Sequence, residues 1–176
     1  VASRLLIVLK ARQVGVSWLL AAYALWVAQY QQGAVVLLLS KGQVEAAALL
    51  GKVRFIHKQQ PAWAAERLGQ DSGSEMTFPA RMSKILALPS TEHAGRSETA
   101  SLVIQDEADF HESLESNYAA VKPTIDAGGQ LLQVSTVNKK KVDSPFKSLL
   151  RGAPENGWVK RFWGWYPGLG MVGEKT

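Results

Sequence analysis

The chain has 176 residues, 47% hydrophobic and 20% charged, with no cysteine. That length suits one domain with its own core, and the lack of cysteine excludes a disulfide framework, thiol catalysis and Cys-ligated zinc or iron–sulfur sites. The net charge of +5 is compatible with a polyanionic partner such as nucleic acid, and equally with a basic protein that binds none.

The elements follow in order. Residues 5–9 are a continuous apolar run, expected of a buried parallel strand. A loop containing Gly15 leads to an apolar helix over residues 18–30, and residues 34–39 are a second buried strand. From 43 to about 59, Val44, Ala47, Ala48, Leu50, Val53 and Ile56 recur with helical spacing, and Pro61 stops or restarts the helix. Short strands are expected at 76–78 and 84–88, then a polar loop over 90–99 carrying Arg96. Buried strands follow at 101–105 and 130–134, with a helix after Phe110 between them and a last strand at 158–165. Strands alternating with helices imply a mainly parallel sheet covered on both faces, whose ligands bind at the carboxyl ends of its strands. The longest apolar stretch, 18–28, is shorter than the roughly 18 residues of a spanning helix, so no membrane association is expected. Because the chain starts at Val1 rather than Met, a longer parent protein is expected. His57, His93 and His111 lack the HExxH spacing of a zinc hydrolase, and His111 is expected to be exposed and structural.

Two strand ends carry chemistry. Lys10-Ala11-Arg12-Gln13-Val14-Gly15-Val16-Ser17 lies where a phosphate-binding loop would lie, but Lys10 takes the place of the first glycine and Val16 that of the lysine. Backbone N–H groups, a helix start and the Ser17 hydroxyl suit a polyphosphate with Mg²⁺. Lys10 and Arg12 supply positive charge. An ordinary strand-to-helix turn with two solvated cations fits the same residues. The second motif, residues 102–110, ends a buried strand in Asp106-Glu107. Asp106 can hold the Mg²⁺ hydration shell and Glu107 can orient or deprotonate a water. Asp109 and Glu112 read as acids favoured at a helix start. Together the motifs are the two halves of a nucleotide hydrolase site.

On these residues the sequence resembles the ATPase domain of the large terminase subunit, the DNA-packaging motor of tailed phages. The resemblance rests on KARQVGVS at 10–17, LVIQDEADF at 102–110, SKGQ at 40–43 and the Ser90-Thr91 and Gly95-Arg96 positions, in Gly-Arg order where the family has Arg-Gly. It implies a RecA-like P-loop α/β fold in three layers, with ATP and Mg²⁺ as cofactors. Residues 10–17 would form the Walker A loop, with Lys10 and Arg12 standing in for the lysine missing at Val16. Ser17 and Asp106 would ligate the metal, Glu107 would be catalytic, and Ser135, Thr136 and Asn138 would form the coupling motif. Arg96 would be an arginine finger acting on a neighbouring subunit. The implied partners are double-stranded DNA, a homo-oligomeric ring on a portal and a small terminase subunit, in the host cytoplasm and at the procapsid portal. Residues 1–166 would be the ATPase domain and 167–176 the start of a linker. The family's upstream adenine-binding segment and downstream nuclease domain have no counterpart here, so no nuclease activity is expected.

Two other readings remain at this stage. Asp106–Asp109 spell DEAD, which suggests a helicase-type remodeller, although that reading wants a lysine at Val16. A degenerate, non-hydrolysing nucleotide-binding module is the other. Lys139-Lys140-Lys141 could touch DNA phosphates or simply be solvated, and the aromatic group Trp158, Phe162, Trp163, Trp165 and Tyr166 reads as packing.

Overall fold

The structure is a computed structural model that describes residues 4–91, 94 and 99–164. Seven strands, β1 (Leu5–Lys10), β2 (Val35–Ser40), β3 (Glu75–Phe78), β4 (Ser83–Pro89), β5 (Leu102–Asp106), β6 (Gln130–Ser135) and β7 (Val159–Trp163), form one sheet in the order β3-β4-β2-β5-β6-β1-β7. Every neighbouring pair is parallel except β3 and β4. The exception has a local cause. Only a 3-10 turn at Pro79–Arg81 joins these two strands, far shorter than the dozen or more residues a parallel crossover needs.

The continuous apolar runs are explained by two-sided burial. Helices α1 (Val16–Tyr30) and α2 (Gln43–Gln59) cover one face, where Val8, Val36, Leu38, Ile104 and Val134 pack against Leu20, Ala24, Leu50 and Val53. Helices α3 (Leu114–Asp126) and α4 (Pro145–Arg151) cover the other, where Ile7, Leu37, Val103 and Leu131 meet Val121, Ile125, Phe146 and Trp158. Trp158 is fully buried against Tyr118, as expected of packing. Trp165 and Tyr166 lie outside the described residues. Among the described residues no helix is long and apolar enough to cross a membrane.

The region after β5 differs from expectation. No helix begins at Phe110: a 3-10 turn at Ala108–Phe110 and an extended His111 precede α3. His111 is 3% exposed, because its ring folds back beneath the strand end to bond the Asp106 carbonyl at 2.9 Å. Asp109 is likewise buried rather than a solvated acid at a helix start. Helix α4 escaped the sequence reading, although Ser144-Pro145 announces it: the Ser144 hydroxyl accepts from the Lys147 N–H, with proline in the first turn.

The strand order decides where the site lies. β6 sits between β1 and β5, and all three run parallel. Their carboxyl ends therefore share one edge of the sheet, with Lys10, Ser135 and Asp106 side by side.

Candidate active site

The chain leaves β1 at Lys10 and turns into α1 through residues 11–15. Gln13 and Gly15 both adopt left-handed backbone, at φ 62° and 76°. For Gly15 this costs little, since it has no Cβ to clash. No side chain caps the start of α1, so main-chain N–H groups of its first turn remain available, the arrangement that suits a phosphate. Val16, at the place of the usual lysine, has no charge to offer and packs into the apolar core.

The two halves read from the sequence meet across β6. The Ser17 hydroxyl donates to Asp106 Oδ2 at 2.8 Å, and Lys10 Nζ lies 2.8 Å from Glu107 Oε1. The Lys10 side chain is only 8% exposed, which removes it from the class of solvated surface cations. Thr136 donates to the other Glu107 oxygen at 3.2 Å. Glu107 itself sits in left-handed backbone at φ 56°, a sparsely populated conformation for a side-chain-bearing residue. Successive carboxylates thus face different partners, Asp106 the Ser17 hydroxyl and Glu107 the Lys10 ammonium. Burial raises the Asp106 pKa above the ordinary carboxylate value, opposed by the Ser17 hydrogen bond and the Lys10 charge.

Lys10, Arg12, Gln13, Lys41, Glu107, Phe110 and Thr136 line an open cleft of about 300 Å³. A larger polar hollow of about 440 Å³ lies at the other end of the sheet, lined by Arg4, Tyr23, Ser101 and Gln130. It contains none of the candidate residues, whereas the smaller cleft is lined by five of them, Lys10, Arg12, Gln13, Glu107 and Thr136.

Other candidates are placed differently. Ser135 accepts from the Asp109 N–H at 3.0 Å and donates to the Thr136 carbonyl, and the Asn138 N–H donates to Asp109 Oδ2 at 2.6 Å. Of these three residues at and beyond the end of β6, therefore, Thr136 touches Glu107 while Ser135 and Asn138 engage Asp109. Arg96 lies outside the described residues. Sequence reasoning missed Lys41, which lines the cleft just beyond β2 and pairs with Glu45 at 3.0 Å. A lysine directly after a buried parallel strand was the available signal. It also missed the role of His111, whose ring pKa burial lowers.

The residues present fit a hard divalent cation. Among the described residues no three acidic or histidine side chains cluster as a self-sufficient metal site. Magnesium, however, is commonly held by one or two protein oxygens together with waters and substrate phosphates. The Ser17 hydroxyl and Asp106 carboxylate, already in contact, are that kind of donor pair.

No family model matches the sequence, and no curated protein does. Solved structures do match in fold. The Thermus phage P74-26 large terminase ATPase domain superposes with a TM-score of 0.74 at 15% identity, over 92% of this chain and 76% of that one. The large terminase of bacteriophage HK97 gives 0.72 at 15%, over 94% of this chain and 36% of that one. A large terminase from a thermophilic bacteriophage, in complex with ATP-γ-S, gives 0.64 at 12%, over 90% and 39%. With β6 inserted between β1 and β5, the chain shares the fold of the phage large terminase ATPase domains on which it superposes.

Proposed function

We propose that this chain is the Mg²⁺-dependent ATPase domain of a phage or prophage large terminase subunit, which powers translocation of double-stranded DNA into a procapsid. The observation that carries the reading is the meeting of two distant motifs at one sheet edge, with Ser17 bonded to Asp106 and Lys10 to Glu107. Residues 1–166 form the ATPase domain in this reading, and 167–176 begin a linker. Its partners are duplex DNA, further copies in a ring on the portal and a small terminase subunit, in the bacterial cytoplasm and at the portal.

The chain's own residues divide the work. The N–H groups at the start of α1, with Lys10 and Arg12, hold the triphosphate. Ser17 and Asp106 would hold Mg²⁺, which would supply neutralisation of the charge that develops on the triphosphate. Glu107 accepts a proton from water as its oxygen attacks the γ-phosphorus, and ADP carries away the electrons of the broken P–O bond. Lys10 and Thr136 bond the two Glu107 oxygens. A bound triphosphate offers Lys10 a more highly charged partner and frees that carboxylate. Thr136 then reports the state of Glu107 to β6. Arg96 acts in trans on a neighbour's nucleotide.

The test is ATP hydrolysis against protein concentration, with Glu107→Gln as the blank. The substitution removes a general base and is expected to cost about 10²–10⁴-fold in turnover while nucleotide binding persists. Equal turnover by variant and parent overturns the reading. Specific activity that climbs with concentration supports an arginine supplied by a neighbour, and flat activity removes that role from Arg96. Nucleotide binding with no turnover in the parent would favour the non-hydrolysing module.

A further inference from the structure

We propose that residues 138–144, which leave the end of β6, form a pre-set loop that binds the phosphate backbone of duplex DNA through Lys139, Lys140 and Lys141. The loop is fastened from the inside by charges that the nucleotide site does not use. Asp109 has a fully buried side chain. It accepts from the Asn138 N–H at 2.6 Å at the start of the loop and from the Ser144 hydroxyl at its end. Lys147 Nζ, 3.5 Å from Asp109, donates to the Asn138 carbonyl at 2.8 Å and to the Lys141 carbonyl. The Asn138 side chain accepts from the Lys140 N–H at 3.0 Å, which closes a turn.

A buried ion pair is a poor device for stability, because the desolvation of both charges offsets most of their attraction. It is a good device for fixing a conformation. Here it fixes the main chain of a segment in which residues 139–143 are all exposed. The described hydrogen bonds of Lys140 and Lys141 use main-chain atoms. Three ammonium groups are therefore presented together on a backbone that need not be ordered on binding, which reduces the entropic cost of association. The one acid of the exposed segment, Asp143, pairs with Arg151, so it does not cancel the lysines. The same Asp109 takes its own N–H to Ser135 at the end of β6, and the loop is thereby anchored to the strand whose next residue touches Glu107. The identity of the polyanion as duplex DNA rests on the packaging reading above.

The probe is a 30-base-pair duplex, followed by fluorescence anisotropy across a salt titration without nucleotide. Lys139→Ala/Lys140→Ala/Lys141→Ala is expected to weaken binding at least about tenfold at low salt. It should also reduce the magnitude of the log–log salt slope by about 2–3, since each phosphate contact contributes roughly 0.9. Lys52→Ala/Lys58→Ala/Lys160→Ala removes the same charge elsewhere and is expected to change affinity less than about threefold. Parental affinity and slope in the loop variant, or an equal loss in the control, overturns the proposal. Because the measurement needs no turnover, it separates from the ATPase reading. Loop-dependent binding by a chain that hydrolyses nothing keeps the loop and removes the ATPase. Hydrolysis by a chain whose duplex binding ignores the loop does the reverse.

Discussion

Asp106 and Asp109 lie three positions apart in one short segment, yet their surroundings differ in kind. Asp106 is met by one hydroxyl and by its neighbour's N–H, and burial holds its pKa up. Asp109 is met by a main-chain N–H, a serine and a lysine. Each oxygen of the first carboxylate has one neutral donor, which in the proposed reading leaves its charge to be met by a cation. The second has its charge compensated from within the fold by Lys147. The contrast lies in whether the fold itself supplies a counter-charge.

Removing each charge in turn should give opposite outcomes. Asp109→Ala strands the Lys147 ammonium, which is only 14% exposed, and is expected to cost about 3–5 kcal/mol in urea unfolding, the usual penalty for breaking a buried pair. Asp106→Asn keeps an acceptor for Ser17 and removes a charge that burial disfavours. Its midpoint at neutral pH should match or exceed that of the parent. If Asp106→Asn proves the more damaging, the distinction fails.

A neutral counterpart lies on the α3 side of the same strand ends. Gln133 donates to Gln105 at 2.8 Å, Gln105 to Asn117 at 2.6 Å, and Asn117 to the carbonyls of Thr91 and Ala94. All three amides are fully buried. Asn117→Ala would leave the Gln105 amide and the Ala94 carbonyl short of partners, while the Thr91 carbonyl keeps the Ala94 N–H, at about 1–3 kcal/mol. Amide exchange at Ala94 should quicken accordingly. Unchanged stability would show that the chain of amides is dispensable.

The smallest effect concerns His111. Burial lowers its pKa, so the folded state holds the neutral ring while the unfolded chain takes up a proton near the ordinary value of 6.5. Stability from this residue is therefore complete above 6.5 and is lost as pH falls through the lower folded value. The slope should not exceed about 1.4 kcal/mol per pH unit. Chemical denaturation between pH 7 and 5 should show this slope in the parent and a shallower one in His111→Gln. Identical slopes would remove His111 from the pH response.

Much of this molecule was legible in the sequence because it depends on local rules. Residues buried on both faces of a parallel sheet must be continuously apolar, so β1, β2, β5 and β6 announce themselves, and the helical spacing of α2 does the same. The loop at residues 10–17 and the Asp106-Glu107 pair were readable because each lies at the end of such a strand. Partnership, by contrast, came from the fold alone. Nothing between residues 10 and 107 dictates that Lys10 meets Glu107; the insertion of β6 between β1 and β5 does. His111 and Asp109 look like surface polar residues in a pattern, because a single polar letter cannot reveal whether the fold will bring it a carbonyl, a serine or a lysine. Burial of a polar side chain is tolerated only where such partners arrive, and their arrival depends on contacts far apart in sequence.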